Sequence, residues 1–313
     1  MTGTESTKAD IDGRRERARA GRRESASGFL FMSPFFILMF LFVICTFIYG
    51  FIMSCRDAQG ISAGHFIGFS NFRELFADKW FWQSVYVTFK FMIVCIVTQL
   101  PAGFLLAVWF QSIPYKRIRG ILQAAFFVPF LMNTVVAALM FRMLFETDTG
   151  MVNWVLGAIH LPGDIQWLYD KNYSFPLLVL VAFWQGIGFQ ALYFHSYLQT
   201  IDPSLYEAAR MDGATGRKMF FSITVPLMRP AVTFMAVTSA VGSLLAFDLV
   251  YMLFQYGINE NVSTVVIYIY GKAFHGDFNV GLAAAAGWVA FFIILGVSLL
   301  QIKVLGLGRE REN

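Results

Sequence analysis

Glu207-Ala208-Ala209, with Tyr206 before it and Asp212-Gly213 after it, is the densest group of reactive or pairing side chains between two long apolar runs. A carboxylate beside two alanines lets another surface approach closely and offers a bidentate partner to an arginine. Downstream lies Gly213-Ala-Thr-Gly-Arg-Lys218, which superficially suggests a phosphate loop. Such a loop needs G-x-x-x-x-G-K-[ST] after a strand. Here Met219 follows the lysine and no strand pattern precedes it, so no nucleotide site is read. Cys45, Cys55 and Cys95 have no paired spacing, and His65, His160, His195 and His275 are scattered, so neither a disulfide nor a metal site is expected. No nucleophile stands near a base and no carboxylates are paired, which leaves no covalent chemistry to assign. A second set of polar groups interrupts apolar runs: Asn133, Thr134, Trp184, Gln185, Gln190, Ser239, Ser243 and Asp248. Polar side chains are costly against lipid, so these are expected to face a cavity or another helix. For the hydroxyls, a bond to the residue's own helix is the competing reading. For Asp248, a structural tie and a solute contact stand equally open.

The elements that hold these groups follow from composition. Of 313 residues, 57% are hydrophobic and 14% charged, against about 25% charged in a soluble domain. Six runs are long enough to cross the hydrocarbon as helices: Phe29–Met53, Gln83–Phe110, Gly120–Phe145, Phe175–Gln199, Pro230–Phe254 and Asn279–Val304. Residues 1–28 read as a disordered basic tail, 29–304 as one spanning domain, and 305–313 as a second tail. The first run has no A-x-A site and is read as an uncleaved span. Seventeen of the 24 Lys and Arg fall in the tails, at Lys303 beside the second tail, in 116–119 and in 210–229; five, Arg56, Arg73, Lys79, Lys171 and Lys272, fall on the opposite loops. The bias places both termini and residues 200–229 in the cytoplasm. Cys55 is then expected at the outer end of the first span, open to an impermeant thiol reagent. Outer residues 146–175 carry Trp154, Trp167, Tyr169 and Tyr173, either as an aromatic belt or as a docking surface.

Local signals fix the elbow. Asp202-Pro203 is a cap followed by a proline in the first turn. Gly213 suits the left-handed position past the helix end. Thr215 caps a second short helix, which Pro226 is expected to stop.

The whole elbow resembles the EAA loop of bacterial ABC importer permeases. E-A-A, three residues, G, nine residues and I-x-L-P stand here as Glu207-Ala208-Ala209, Gly213 and Ile223-Thr-Val225-Pro226, with valine for the usual leucine. "IGFSNF", "VPFLMNT", "FWQGIGF", "AFDLVYML" and "AFHGDFNVGLAAA" extend the likeness over most of the chain from about residue 30, within the MalF-like carbohydrate-uptake branch. The resemblance implies an all-α, six-span type I importer permease (MetI-like), half of a pore for a sugar or oligosaccharide and not itself an enzyme. It implies coupling to an ATPase through Tyr206, Glu207, Ala208, Ala209, Asp212 and Gly213. It places cavity-lining positions at Phe130, Thr134, Gln185, Gly186, Ser239 and Ser243, while Ala182, Gly242 and Ala246 stand near places where the maltose type has asparagines that are absent here. Expected partners are a second, different permease, two ABC ATPase subunits that bind ATP and Mg, an extracytoplasmic sugar-binding protein and membrane lipid. No cofactor in this chain and no nucleic acid are expected, and the location implied is the bacterial inner membrane. The rival reading, an ion-coupled secondary transporter, requires intramembrane acids; Asp248 alone answers to that.

Overall fold

A computed structural model describes residues 31–255, 260–276 and 278–305. The predicted basic tail lies outside these residues, as does the terminal stretch from 306. Among the described residues the regular structure is helical, with three isolated bridges in place of strands. The chain divides into two units, Met1–Met53 and Ser54–Asn313. The first is represented by helix α1 (Phe31–Ser54), with exposed apolar side chains on all faces and a π turn at Phe40–Ile44.

The second unit contains α2 (Ser70–Ala77), α3 (Lys79–Ser112), α4 (Lys116–Leu131), α5 (Thr134–Leu144), α6 (Met151–Ala158), α7 (Lys171–Leu198), α8 (Pro203–Met211), α9 (Gly216–Leu227), α10 (Arg229–Leu244), α11 (Asp248–Phe254), α12 (Val265–Phe274) and α13 (Val280–Leu305). With α1, helices α3, α7 and α13 are long and apolar enough to span, and two bent pairs bring the number to six. Two predicted spans are not single helices. The run Gly120–Phe145 turns by 93° between α4 and α5. There Asn133 caps α5, its Oδ1 accepting from the Val135 amide at 2.9 Å. The run Pro230–Phe254 ends as α10 at Leu244 and resumes as α11 at Asp248.

The centre of the unit is the α3–α7 pair. A Cβ on Gly103 of α3 would stand 2.9 Å from Gln190 Cβ, and one on Gly186 of α7 would stand 2.7 Å from Gln99 Oε1. Each helix therefore supplies a glutamine and, four residues away, a glycine on the same face. The offsets run the same way, so the helices are parallel and each glutamine sits on the other's glycine. Small residues give apolar helices their close approach in lipid. Gly188 brings α7 still nearer α4: its Cβ would fall 1.8 Å from the Phe126 carbonyl oxygen.

At the far end of α3, Asp78 ties that helix to α12. Its Oδ1 accepts from the Trp80 amide at 2.8 Å, capping α3. Its Oδ2 accepts from the Tyr268 hydroxyl at 2.7 Å and lies 3.4 Å from Lys272 Nζ, both on α12. Burial works against ionisation of this carboxyl. The Tyr268 hydroxyl, the Trp80 amide and Lys272 outweigh it and hold its pKa below the ordinary carboxylate value. A depressed folded pKa contributes stability that is full above the unfolded pKa and vanishes as pH falls through the folded one.

Asp78→Asn should unfold at lower temperature than wild type at pH 7, and the gap should close as the pH is lowered below the carboxylate range; Tyr268→Phe should cost about 1 kcal/mol. A pH-independent gap in detergent thermal melts would count against this charge network. Gly188→Ala should destabilise by about 3 kcal/mol through overpacking. Gly296→Ala, where a Cβ meets nothing within 4 Å, should be neutral in the same assay.

Candidate functional site

The elbow is built as its local sequence dictates. Asp202 Oδ1 accepts from the Ser204 amide at 2.9 Å and Pro203 opens α8. Hydrogen bonds from the Ser204 amide and then its hydroxyl lower the Asp202 pKa. α8 ends in a Schellman arrangement: the Gly213 amide donates to the Arg210 carbonyl at 3.0 Å and the Ala214 amide to the Ala209 carbonyl at 2.9 Å. Gly213 has φ +74°, with open space around it, so its constraint is conformational and not steric. Thr215 Oγ1 accepts from the Lys218 amide at 3.4 Å. The expected stop at Pro226 does not occur. A π turn at Phe220–Thr224 precedes it, and α9 runs on to Leu227 before a 59° bend into α10. The proline sits at the start of the segment that follows the π turn, where its missing N–H costs little. Tyr206 Oη and Thr224 Oγ1, 3.0 Å apart, tie α8 to that turn.

Of the six predicted coupling residues, Glu207, Ala208, Asp212 and Gly213 are exposed, while Tyr206 and Ala209 are half-buried. Glu207 makes no hydrogen bond or ion pair among the described residues. Met211, at the end of the same helix, is 89% exposed. Tyr206, Glu207 and Arg210 also line a cleft of about 690 Å³ against Gln111 and Ser112 of α3 and Gln199 after α7. A free carboxylate, small neighbours and a projecting thioether form a surface suited to a macromolecular contact.

The second constellation is a cavity of about 430 Å³ among α3, α4, α5, α7, α10 and α11. All six predicted lining residues, Phe130, Thr134, Gln185, Gly186, Ser239 and Ser243, border it. Ala182, Gly242, Ala246 and Asp248 do so as well. Phe130 and Phe189 stack at 4.5 Å with planes 12° apart, giving one wall an aromatic face. Gln185 Nε2 donates to the Met132 carbonyl at 3.1 Å and to Thr134 Oγ1 at 3.3 Å. It therefore lines the cavity and also satisfies the backbone where α4 breaks from α5. Deeper in, Gln190 Nε2 donates to Gln99 Oε1 at 3.0 Å and to Ser239 Oγ at 3.2 Å.

Two candidates lie elsewhere. Asn133 spends its side chain as the α5 cap, and Trp184 packs edge-on to Phe141 at 5.1 Å, away from the lining. Gln99 was missed because it sits in a long apolar run. Its signal was an amide four residues before Gly103, the spacing that puts both on one helix face.

The loop after α5 is organised by buried Asn153, whose Nδ2 donates to the Thr147 and Ile165 carbonyls at 3.0 and 2.9 Å. Its Oδ1 accepts from Trp167 Nε1 at 2.8 Å. Trp167 is thus an internal strut, whereas Trp154 is 73% exposed. Cys55 is buried, 3.9 Å from Ser54 Oγ, which corrects its expected reagent access. Among the described residues no three His, Cys, Asp or Glu side chains gather as a metal site.

The family described as "Binding-protein-dependent transport system inner membrane component" matches residues 99–305. The arabinooligosaccharides transport system permease protein AraP of Bacillus subtilis is 32% identical over 289 residues, 90% of each chain. The lactose transport system permease protein LacF of Rhizobium radiobacter is 29% identical, covering 95% of this chain and 98% of its own. The trehalose/maltose permease protein MalF of Thermococcus litoralis is 27% identical over 93% and 96%. A crystal structure of a bacterial ABC transporter involved in alginate import superposes with a TM-score of 0.84 at 23% identity, over 94% of this chain and all of the other; it supports the fold. The broken spans, the capped elbow and these matches lead to one assignment: the chain belongs to the family of inner membrane components of binding-protein-dependent transport systems, with the permease fold of ABC importers.

Proposed function

We propose that this chain forms half of the pore of an ATP-driven saccharide importer, in a bacterial inner membrane with both termini cytoplasmic. The observation that carries the cargo class is the cavity, which joins an aromatic wall at Phe130 and Phe189 to the amides of Gln99, Gln185 and Gln190 and the hydroxyls of Thr134, Ser239 and Ser243. Ring faces and hydroxyl-pairing groups in one small space suit a polyhydroxylated ring. The relatives named for arabinooligosaccharides, lactose and trehalose/maltose support the same class. The energy source lies in separate ATPase chains that bind ATP and Mg; this chain has no phosphate loop and carries no catalysis of its own. A second, different permease would complete the pore and an extracytoplasmic binding protein would deliver the sugar. The bacterial alginate ABC transporter has been crystallised in complex with an alginate pentasaccharide-bound periplasmic protein, which supports such a delivery.

Coupling is assigned to the elbow. Glu207 meets a cation on the ATPase, Ala208 and Ala209 allow contact, and the Gly213 turn fixes the presentation, with Tyr206 and Asp212 shaping it. Binding of ATP favours one pore state and hydrolysis releases it. The Tyr206–Thr224 contact would carry ATPase motion into the bend between α9 and α10. ATP-dependent uptake in vesicles of the assembled importer supports this reading, whereas uptake driven by a proton or sodium gradient alone would favour a secondary carrier.

Gln185→Leu should reduce sugar uptake at least about tenfold, because it removes a cavity amide and strands the Met132 carbonyl, at a cost of about 1–3 kcal/mol. The ATPase should still co-purify; unchanged uptake would move the site to Thr134 and Ser239. Glu207→Lys should weaken ATPase binding by about 2–5 kcal/mol. Gly213→Val should act in the same direction through backbone strain at positive φ. Pull-down with a tagged permease reads both, and full ATPase recovery from Glu207→Lys would show that the elbow is not the coupling contact.

A further inference from the structure

Asp248 stands apart among the groups of the cavity. It borders the cavity, it is exposed there, and it makes no hydrogen bond or ion pair among the described residues. Every other lining side chain is apolar, hydroxyl, thiol or amide; none is Lys, Arg or His. The cations on neighbouring helices are turned elsewhere. Lys90 Nζ lies 3.9 Å from the centre of the Phe175 ring. Arg142 faces Gln255, whose Oε1, with the amide set toward the guanidinium, accepts from both terminal nitrogens at 2.7 and 3.0 Å. An unpaired carboxylate within a spanning region is expensive unless it serves the path it faces. Its field in a small cavity with low-dielectric walls is focused, not dissipated.

We propose that Asp248 makes the translocation cavity selective for neutral saccharides and against acidic ones. The carboxylate accepts hydroxyl donors from a neutral sugar and repels a uronate or aldonate carboxylate. The neutral amides and hydroxyls around it supply no positive charge to offset that repulsion. The chemical class follows from sign: a cavity built for acidic sugars would place a guanidinium or ammonium here. The inference rests on the saccharide reading for its cargo but not for its electrostatics, and the two are tested separately.

The electrostatic test uses the purified importer with all its subunits. Cys45, Cys55 and Cys95 are replaced, and a single reporter is placed as Leu245→Cys or Thr238→Cys, both in the lining. The rates of a cationic and an anionic methanethiosulfonate are compared, each divided by its rate on a free thiol. The normalised cation-to-anion ratio should be about tenfold and should fall toward one when Asp248→Asn is added. A ratio near one in the parent would show that the partner permease supplies a neutralising cation, and sinks the proposal. So would a ratio that Asp248→Asn leaves unchanged, or reporters that react with neither reagent.

The cargo test uses proteoliposomes and matched pairs, lactose with lactobionate and maltose with maltobionate. The expected result is uptake of a neutral member at least about tenfold above its acid, with the gap narrowed in Asp248→Asn. Equal uptake of both members would overturn the selectivity. Failure of every neutral sugar, with a normal thiol ratio, would count against the saccharide reading while the charge assignment stands.

Discussion

The rest of the structure depends on one constraint: no backbone N–H or C=O can be left bare in hydrocarbon. A span that breaks must therefore bring its own replacement partners. At the α4–α5 break the Val135 amide is taken by Asn133 and the Met132 carbonyl by Gln185 from α7. At the α10–α11 break the Ala246 carbonyl is taken by Thr264 Oγ1, and the following α12 receives its first partner from α3, as Thr88 Oγ1 accepts from the Val265 amide at 2.9 Å. These polar side chains are present because the helices break. The breaks open the space that the same side chains line, so the architecture and the cavity share one cause.

Glycine sets how near the helices come. Gly103 and Gly186 let Gln190 and Gln99 lie across the α3–α7 contact, and Gly188 seats α7 against the α4 backbone. Without those approaches the glutamines would have no room to meet, and two buried amides would lack partners. The packing thus makes affordable a polar floor that lipid alone would forbid. Next to it, Leu100, Ala107, Phe194, Leu198, Met228 and Met235 form a continuous apolar cluster. The mixed cavity stands out against this cluster because its polar groups converge.

The elbow is held by shorter-range ties. Its caps are satisfied locally, by Asp202, by the Gly213 turn and by Thr215. Glu207 is left with no partner among the described residues, whereas Tyr206 is tethered to Thr224. One residue of the helix is thus free to meet another surface while its neighbour is joined to the bend that leads into α10. This division of labour suits the coupling contact proposed for the elbow.

Features set by neighbours in sequence could be read without coordinates. The elbow helix, its cap at Asp202 and the left-handed Gly213 depend on a few adjacent residues. The spans depend on run length against bilayer thickness. The six lining positions were reached through the resemblance, which carries the helix register with it. Where the chain bends was not legible. Gly120–Phe145 and Pro230–Phe254 are apolar enough to be straight helices, and a run of hydropathy does not reveal whether a residue 53 positions away will take a freed carbonyl, as Gln185 does for Met132. The continuation of α9 through Pro226 was hidden for the same reason, since a π turn is chosen by packing and not by propensity. Gln99, inside an apolar run, and Trp167, among outer aromatics, took their roles only when Gln190 and Asn153 arrived beside them. Sequence determined which groups must avoid lipid. The tertiary structure decided which of them would find one another and which, like Asp248, would be left facing the cavity.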